Sequence, residues 1–480
     1  MKNILVNKIK FKGIHAKMVV VIATVAIAST FLCGCEYFDI DELLKTFDLS
    51  DYDYDDSTFL ESDETASEDK EAADEAAEEG SDSLDSGISS KIKDPENFDF
   101  SSFYKKFFDT DTDGDVKKVR EAAGLTDENL KKVMKEQEGN YAYDKLTEAG
   151  RTLYAELYLV LTKESEEVYV STTSEQAIDI VFNYLMIDHP EIFWVEGYSF
   201  KRYTVGDVTE KMAFSGQYTY DLKEVAQRKK KIDKYVNECI SGAPSSGDDY
   251  LKIKYIYEYI IAKTDYVSGA PDNQNICSVF IGGESVCSGY AKATQYLLNK
   301  LGIECITVSG TVDTRTTSDA KHSWNLVKCN GKYYYIDTTW GDSSYQTVSS
   351  DSENVTNLPR VNYEYLCVTT ENILSNHKFS DVIALPECNS MADNYYVREG
   401  AYFNNDDLEH VRELFDRRYS EGSENVTIKC ATEDVYNLLL DKLVSKGAVF
   451  DYLRGGYDKD NKKNVRYTTF EETKTIIFWL

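Results

Sequence analysis

The chain has 480 residues, 42% of them apolar and 29% charged, with a net charge of -31. This length exceeds what one hydrophobic core serves and points to about three domains at roughly 150 residues each. Nucleic-acid binding needs clustered Lys and Arg against phosphate, and no basic patch stands out, so the composition argues against nucleic acid as a partner.

The charge is distributed unevenly. Lys2, Lys8, Lys10, Lys12 and Lys17 precede an uncharged, mostly apolar run from Met18 to Leu32. That run is short for a membrane span, which needs about 20 residues, and suits a secretory h-region. It ends in Leu32-Cys33-Gly34-Cys35. These residues resemble the bacterial lipoprotein box, with Cys33 where Ala or Ser is more usual. The resemblance implies a lipoprotein signal segment over 1–35, cleaved so that Cys35 becomes residue one and carries the lipid, and an extracytoplasmic chain held at the membrane. Residues 36–97 then carry 23 Asp or Glu against 4 Lys. Such a segment cannot bury enough apolar area to offset ordering entropy and is expected to be a disordered tether.

Residues 98–245 read as a helical, then mixed, extension. Apolar residues recur at helical spacing over Asp127 to Glu136 and Glu148 to Thr162. The acidic run Asp109 to Asp115 looks like the start of a calcium loop. Position twelve of that loop would be Arg120 where a bidentate acid is required, so an acidic turn before a helix is the better reading. Strands are expected at Glu167 to Ser171, Ile192 to Tyr203 and Met212 to Tyr220, and helices at Ser174 to His189 and Leu222 to Ile240. A loop at 241–247 leads to a helix from Asp248 to Ala262 with Tyr and Ile on its inner face. From 390 onward a small α/β unit is expected. It has strands at Asn394 to Phe403, Asn425 to Ala431 and Thr473 to Leu480, and helices at Asp406 to Tyr419 and Glu433 to Lys446.

The chemistry concentrates between 246 and 385. Gly282-Gly283 ends one segment, and Glu284 and Ser285 are placed to cap a helix running from Cys287 to Lys300. A thiol at a helix N-terminus sits near partial positive charge and open N–H groups, which favour a thiolate and a developing oxyanion. The alternative for such a Cys is a buried structural role. His322 to Cys329 reads as a strand, Asn330-Gly331 as a type I′ turn, and Lys332 to Asp337 as the returning strand. That register sets Trp324 opposite Asp337 and makes His322 and Asp337 diagonal neighbours, about 7–8 Å apart at Cα. A carboxylate there holds one imidazole nitrogen and leaves the other for a thiol. Cys287, His322 and Asp337 thus suit nucleophile, general base and orienting acid. Asp342 is a poorer substitute carboxylate. Trp324 and Trp340 bracket the site, and Tyr290 lies one turn into the helix. These three either line a substrate groove or pack under the sheet.

The motifs Glu284-Ser-Val-Cys-Ser-Gly-Tyr-Ala291, Gly302-Ile-Glu-Cys-Ile-Thr-Val-Ser-Gly310, His322-Ser-Trp-Asn325 and Tyr335-Ile-Asp-Thr-Thr-Trp340 together resemble the bacterial transglutaminase-like superfamily, with its papain-like core. The resemblance implies an α+β fold, with a Cys-bearing helix packed on an antiparallel sheet and His and Asp on adjacent strands. It also implies acyl transfer from an amide through a thioester on Cys287. Peptide or amide hydrolysis is the leading expectation, with protein cross-linking and a non-catalytic scaffold as rivals. The expected partners are a protein or peptide substrate at the cell surface and the membrane, through the lipid on Cys35. No cofactor is called for. Of eight further Cys, none shows the CxxC spacing of a metal site, and no metal is expected. Apart from Cys287, they read mainly as small buried hydrophobes.

Overall fold

The structure is a computed structural model that describes residues 76–83, 95–105, 114–314, 317–342, 359–454 and 464–480. The N-terminal basic and apolar runs, Cys35, and most of the acidic segments at 36–97 and 109–115 lie outside the described residues. Within the acidic segment, β1 (Ala76–Ser83) is extended and Pro95–Asn97 forms a 3-10 turn. The expectation of disorder over all of 36–97 does not hold at these residues.

Two units divide the chain. The smaller comprises 1–79 and 201–210, and the larger 80–200 and 211–480. In the smaller, the described residues are the first part of β1 and the stretch around Gly206, which turns at φ +61°.

The larger unit begins with helices whose starts are written in the sequence. α1 (Gly114–Ala122) is followed by α2 (Asp127–Gln137) and α3 (Glu148–Lys163), capped by the side chains of Thr126 and Thr147. β2 (Val168–Val170) leads to α4 (Glu175–Asp188), capped by Ser174. β3 (Val195–Val205) and β4 (Val208–Tyr218) follow, with Val168 of β2 opposite Phe214 of β4. α5 (Leu222–Gly242), capped by Asp221, closes the extension. α4 buries Ile178, Val181, Phe182 and Leu185. Its C-terminal turn is pinned by Asp188, which accepts bonds from the N–H groups of Ala142 and Tyr143 and from the Tyr154 hydroxyl.

α6 (Asp249–Lys263) buries Tyr250, Ile253, Ile256, Tyr257, Ile260 and Ile261, the inner face read from the sequence. β5 (Asp265–Tyr266) pairs in parallel with β6 (Glu284–Ser285), and α7 (Cys287–Lys300) follows at once. α7 packs on β7 (Cys305–Val312) and β8 (Ala320–Cys329). With β9 (Lys332–Ile336) and β10 (His377–Phe379), these make an antiparallel sheet in the order β10-β7-β8-β9. The build is α+β, a helix layer on an antiparallel sheet.

The C-terminal unit contains β11 (Tyr402–Phe403), α8 (Leu408–Ser420), β12 (Asn425–Cys430), α9 (Glu433–Leu440), β13 (Tyr467–Phe470) and β14 (Thr475–Trp479). Its sheet order is β11-β12-β14-β13. Three features differ from expectation. The strand expected over 394–403 is mostly a helical turn, Tyr395–Arg398. The Asn394 side chain caps it by accepting from the Tyr396 N–H, and Gly400 at φ +56° ends it. The helix expected to reach Lys446 widens to a π turn over Asp441–Ser445. β13 is an additional strand beside β14.

Candidate active site

The hairpin that carries the acid and base has the expected turn. Asn330 and Gly331 both take positive φ, +48° and +83°, the pair of angles a type I′ turn requires. Asn325 lies opposite Ile336 and Cys329 opposite Lys332, the register read from the sequence. Asp337 then leaves the ladder. Its N–H donates to the Tyr365 carbonyl, and residues 338–342 turn helical. Its Oδ1 accepts from the N–H groups of Thr339 and Trp340 at 2.9 and 3.1 Å, so Asp337 is also the N-cap of that turn. Its other oxygen, Oδ2, meets Nε2 of His322 at 2.7 Å. This leaves Nδ1 of His322 for the thiol. His322 and the Ser323 N–H both act on the Cys287 thiol, and both favour its thiolate.

α7 brings Cys287 to this point in a way the sequence reading missed. Its N-cap is Val286, and no side chain caps it. Glu284 is exposed in β6 opposite Asp265, while Ser285 Oγ bonds Ser278 Oγ at 2.7 Å and the Val286 carbonyl. The expected cap is therefore absent. The first-turn N–H groups have no side-chain partner and remain open to an oxyanion beside the sulfur. Gly289 makes the approach possible. A Cβ there would stand 2.0 Å from Ser285 Oγ and 2.4 Å from Ser278 Oγ.

The electrostatics follow from burial and pairing. Burial opposes charge on Asp337, yet the His322 charge and the imidazole bonds outweigh it and hold the carboxyl well below its usual range. Burial likewise opposes the His322 imidazolium, but Asp337 and Cys287 together push His322 up to about 10. Burial raises the Cys287 thiol, and the His322 bond and charge more than reverse this, leaving it below the ordinary value. The favoured state is a thiolate–imidazolium pair. All eight described cysteines are unpaired, and seven are buried. Cys287 alone is partly accessible.

A residue absent from the sequence reading completes the network. His377 of β10 is fully buried, and its Nε2 lies 3.1 Å from Asp337 Oδ2. Its Nδ1 meets the Asn376 amide at 2.6 Å. Burial keeps His377 below the ordinary imidazole value, and its neutral ring has one N–H for two acceptors, Asp337 Oδ2 and the Asn376 amide oxygen. Among the described residues, His322, Asp337 and His377 are the one group whose ligand atoms cluster as a metal site's would, within 4.8 Å of one another. Their separations are those of hydrogen bonds, with both nitrogens directed at one carboxylate oxygen.

The three residues offered for substrate contact divide. Trp324 is fully buried against His322 and His377, with ring centroids 6.0 and 4.8 Å away. Tyr290 is fully buried, and its hydroxyl donates to the Thr264 carbonyl and to Asp342 Oδ2. Both side chains are enclosed by the fold. Trp340 is half-buried, with its ring centroid 5.8 Å from that of His322. Asp342, bonded to Tyr290, is not part of the triad.

The model of the Transglutaminase-like superfamily matches residues 233–338. This match begins within α5, upstream of the boundary read at 246, and ends just past Asp337. Human (Homo sapiens) Kyphoscoliosis peptidase is 22% identical over 167 residues, covering 32% of this chain and 24% of that protein. The chain thus spans about a quarter of the length of the curated relatives it matches. Among solved structures, a TGase is 13% identical, covering 34% of this chain and 47% of its own, at a TM-score of 0.22. The periplasmic domain of TgpA from Pseudomonas aeruginosa is 10% identical, covering 32% and 71%, also at 0.22. No helix among the described residues is long and apolar enough to cross a membrane. Residues 233–338, matched by the family model and folded as a Cys-bearing helix on an antiparallel sheet, are a transglutaminase-like domain.

Proposed function

We propose that this chain is a thiol-dependent acyl transferase that opens peptide or other amide bonds, with water as the principal acceptor. One observation carries the reading. The only partly accessible thiol of the described chain begins a helix with uncapped N–H groups and contacts an imidazole that is held by a buried carboxylate. Cys287 Sγ attacks the amide carbonyl, and the His322 proton passes to the leaving amine. Water, deprotonated by His322, then releases the acyl group from the thioester. Trp340 is placed to flank the entering chain. The basic and apolar N-terminus and Cys35 support an extracytoplasmic lipoprotein acting on protein or peptide substrates at the cell surface.

The test is a peptide library read by mass spectrometry, with Cys287→Ala as control and a labelled primary amine in a parallel arm. New peptide ends that vanish in Cys287→Ala while its melting temperature holds are expected. Capture of the amine on glutamine peptides, without hydrolysis, would replace water by amine as acceptor. Unchanged cleavage by Cys287→Ala would end the proposal.

A further inference from the structure

A cavity of about 530 Å³ lies beside the nucleophile, and its lining includes Ser288 and Ser323, the residues that follow Cys287 and His322. One wall belongs to the transglutaminase-like domain. The other is the N-terminal extension, through Met186, Ile187 and Phe193. Gln295 of α7 ties the two together by donating to the Ile187 carbonyl at 2.6 Å. A chain that enters this cavity to reach Cys287 passes between them.

The lining is rich in neutral amides, among them Asn183, Gln217, Asn273, Gln274 and Asn275. These suit peptide N–H and carbonyl groups but select no charge. Lys292 differs. It lies four residues beyond Ser288, on the same face of α7, and about 7.5 Å along the axis from Cys287. Its Nζ donates to the Gln274 carbonyl at 2.8 Å, and among the described residues no carboxylate pairs with it. Burial alone pushes it down to about 8, so it remains mainly an ammonium at neutral pH. Of the other charged lining groups, Asp272 and His189 have partners, and Glu196 is an exposed carboxylate bonded to a neutral hydroxyl. Arg228 holds Asp272 at 2.7 Å, His189 sits between Glu191 and Gln137, and Glu196 accepts from Thr219 on the extension wall. A partly desolvated ammonium without a counter-charge gains most from an incoming anion.

We infer that Lys292 makes this cavity a subsite for a carboxylate on the acyl donor, about two residues from the scissile amide at roughly 3.3 Å per extended residue. The substrate class is an acidic peptide, its carboxylate supplied by an Asp or Glu side chain or by a chain terminus. The inference rests on the thiol acyl-transfer reading of Cys287.

Alkylation of the full chain tests it without knowledge of the natural substrate. Cys287 Sγ displaces chloride from a chloroacetyl group, forming a C–S bond while chloride departs and the thiol proton stays on His322. Three probes are compared: chloroacetyl-Gly-Asp-amide, chloroacetyl-Gly-Gly with a free carboxylate, and neutral chloroacetyl-Gly-Asn-amide. Rates at Cys287 are read by mass spectrometry of the peptide that carries it. The anionic-to-neutral rate ratio is expected to fall roughly fivefold in Lys292→Met, to survive in Lys292→Arg, and in the parent to fade as pH rises through about 8. The repulsion of a chain of net charge -31 is common to parent and variant, so the comparison cancels it. Which anionic probe loses more identifies the carboxylate's source. A ratio unchanged by Lys292→Met overturns the subsite, and rapid labelling of Cys287 by iodoacetamide in the same samples leaves the thiolate reading standing. Iodoacetamide labelling of Cys287 no faster than of the buried thiols would overturn both.

Discussion

Asp337→Asn probes the network at its centre. Asp337 accepts the Thr339 and Trp340 N–H groups on Oδ1 and two imidazole nitrogens on Oδ2. In an amide at this position, the two backbone donors hold the oxygen where Oδ1 stands. The NH₂ group then takes the place of Oδ2 and donates toward His322. Nε2 of that imidazole must accept, so its proton moves to Nδ1, the nitrogen that faces Cys287. In this tautomer it cannot take the thiol proton. The same fault in a serine-protease triad costs about 10⁴ in kcat, and at ~1.36 kcal/mol per decade that is about 5.4 kcal/mol of transition-state stabilisation. Alkylation measures the effect directly. A thiol returned to an ordinary pKa of ~8.5 is only about 0.3% thiolate at pH 6, so the loss there has a ceiling of ~300-fold and closes above pH 9. Iodoacetamide is read on the Cys287 peptide, and among the described thiols the other seven are buried. A folded Asp337→Asn protein that alkylates at the parental rate at pH 6 would refute the tautomer argument.

The remaining predictions concern pH and packing. Turnover should fall as pH rises through about 10, where His322 loses the proton that the leaving amine needs, while alkylation, which needs no proton donor, stays high; a basic limb near the ordinary imidazole value of ~6.5 would mean the ion pair is not formed. The same raised value links to stability, with the His322 contribution complete below ~6.5 and lost as pH passes through about 10, measurable as the urea midpoint against pH. Gly289→Ala sets a methyl against Ser285 and Ser278 and should cost ~1–3 kcal/mol in urea denaturation; an unchanged midpoint would mean the helix start can shift. His377→Gln removes a buried donor from Asp337 and should cost ~1–3 kcal/mol of stability. Its alkylation at pH 6 should fall far less than in Asp337→Asn, since His322 keeps its carboxylate; equal loss would make His377 more than a positioning residue.

Local signals were legible wherever one residue decides a local event. The helices read at 127–136, 148–162, 174–189 and 222–240 are present, and Thr126, Thr147, Ser174 and Asp221 cap them. Asn330-Gly331 announces the turn that sets the hairpin register, and that register places His322 beside Asp337. The reading failed where two local events compete for the same residues. Tyr395, Tyr396 and Val397 have strand propensity, yet the Asn394 cap and the Gly400 stop confine them to a helical turn. Ser285 has a capping residue's chemistry, but Ser278, seven residues upstream, takes its hydroxyl. Nothing within the helix-start motif reveals that competitor.

His377 was illegible for a different reason. It lies forty residues beyond Asp337 on a strand of three, and only its pairing with Val312 of β7 sets its position. A three-residue strand has no period to detect. The usable signal is scarcity, because the chain holds only five His, and two of them converge on one carboxylate. That convergence has a physical consequence. The backbone of 338–342 decides which Asp337 oxygen is free, and β8 and β10 then deliver a charged and a neutral imidazole to that oxygen. With both oxygens fully engaged, the carboxylate cannot rotate. His322 therefore keeps its bond through Nε2, and that leaves Nδ1 for the thiol at the start of α7.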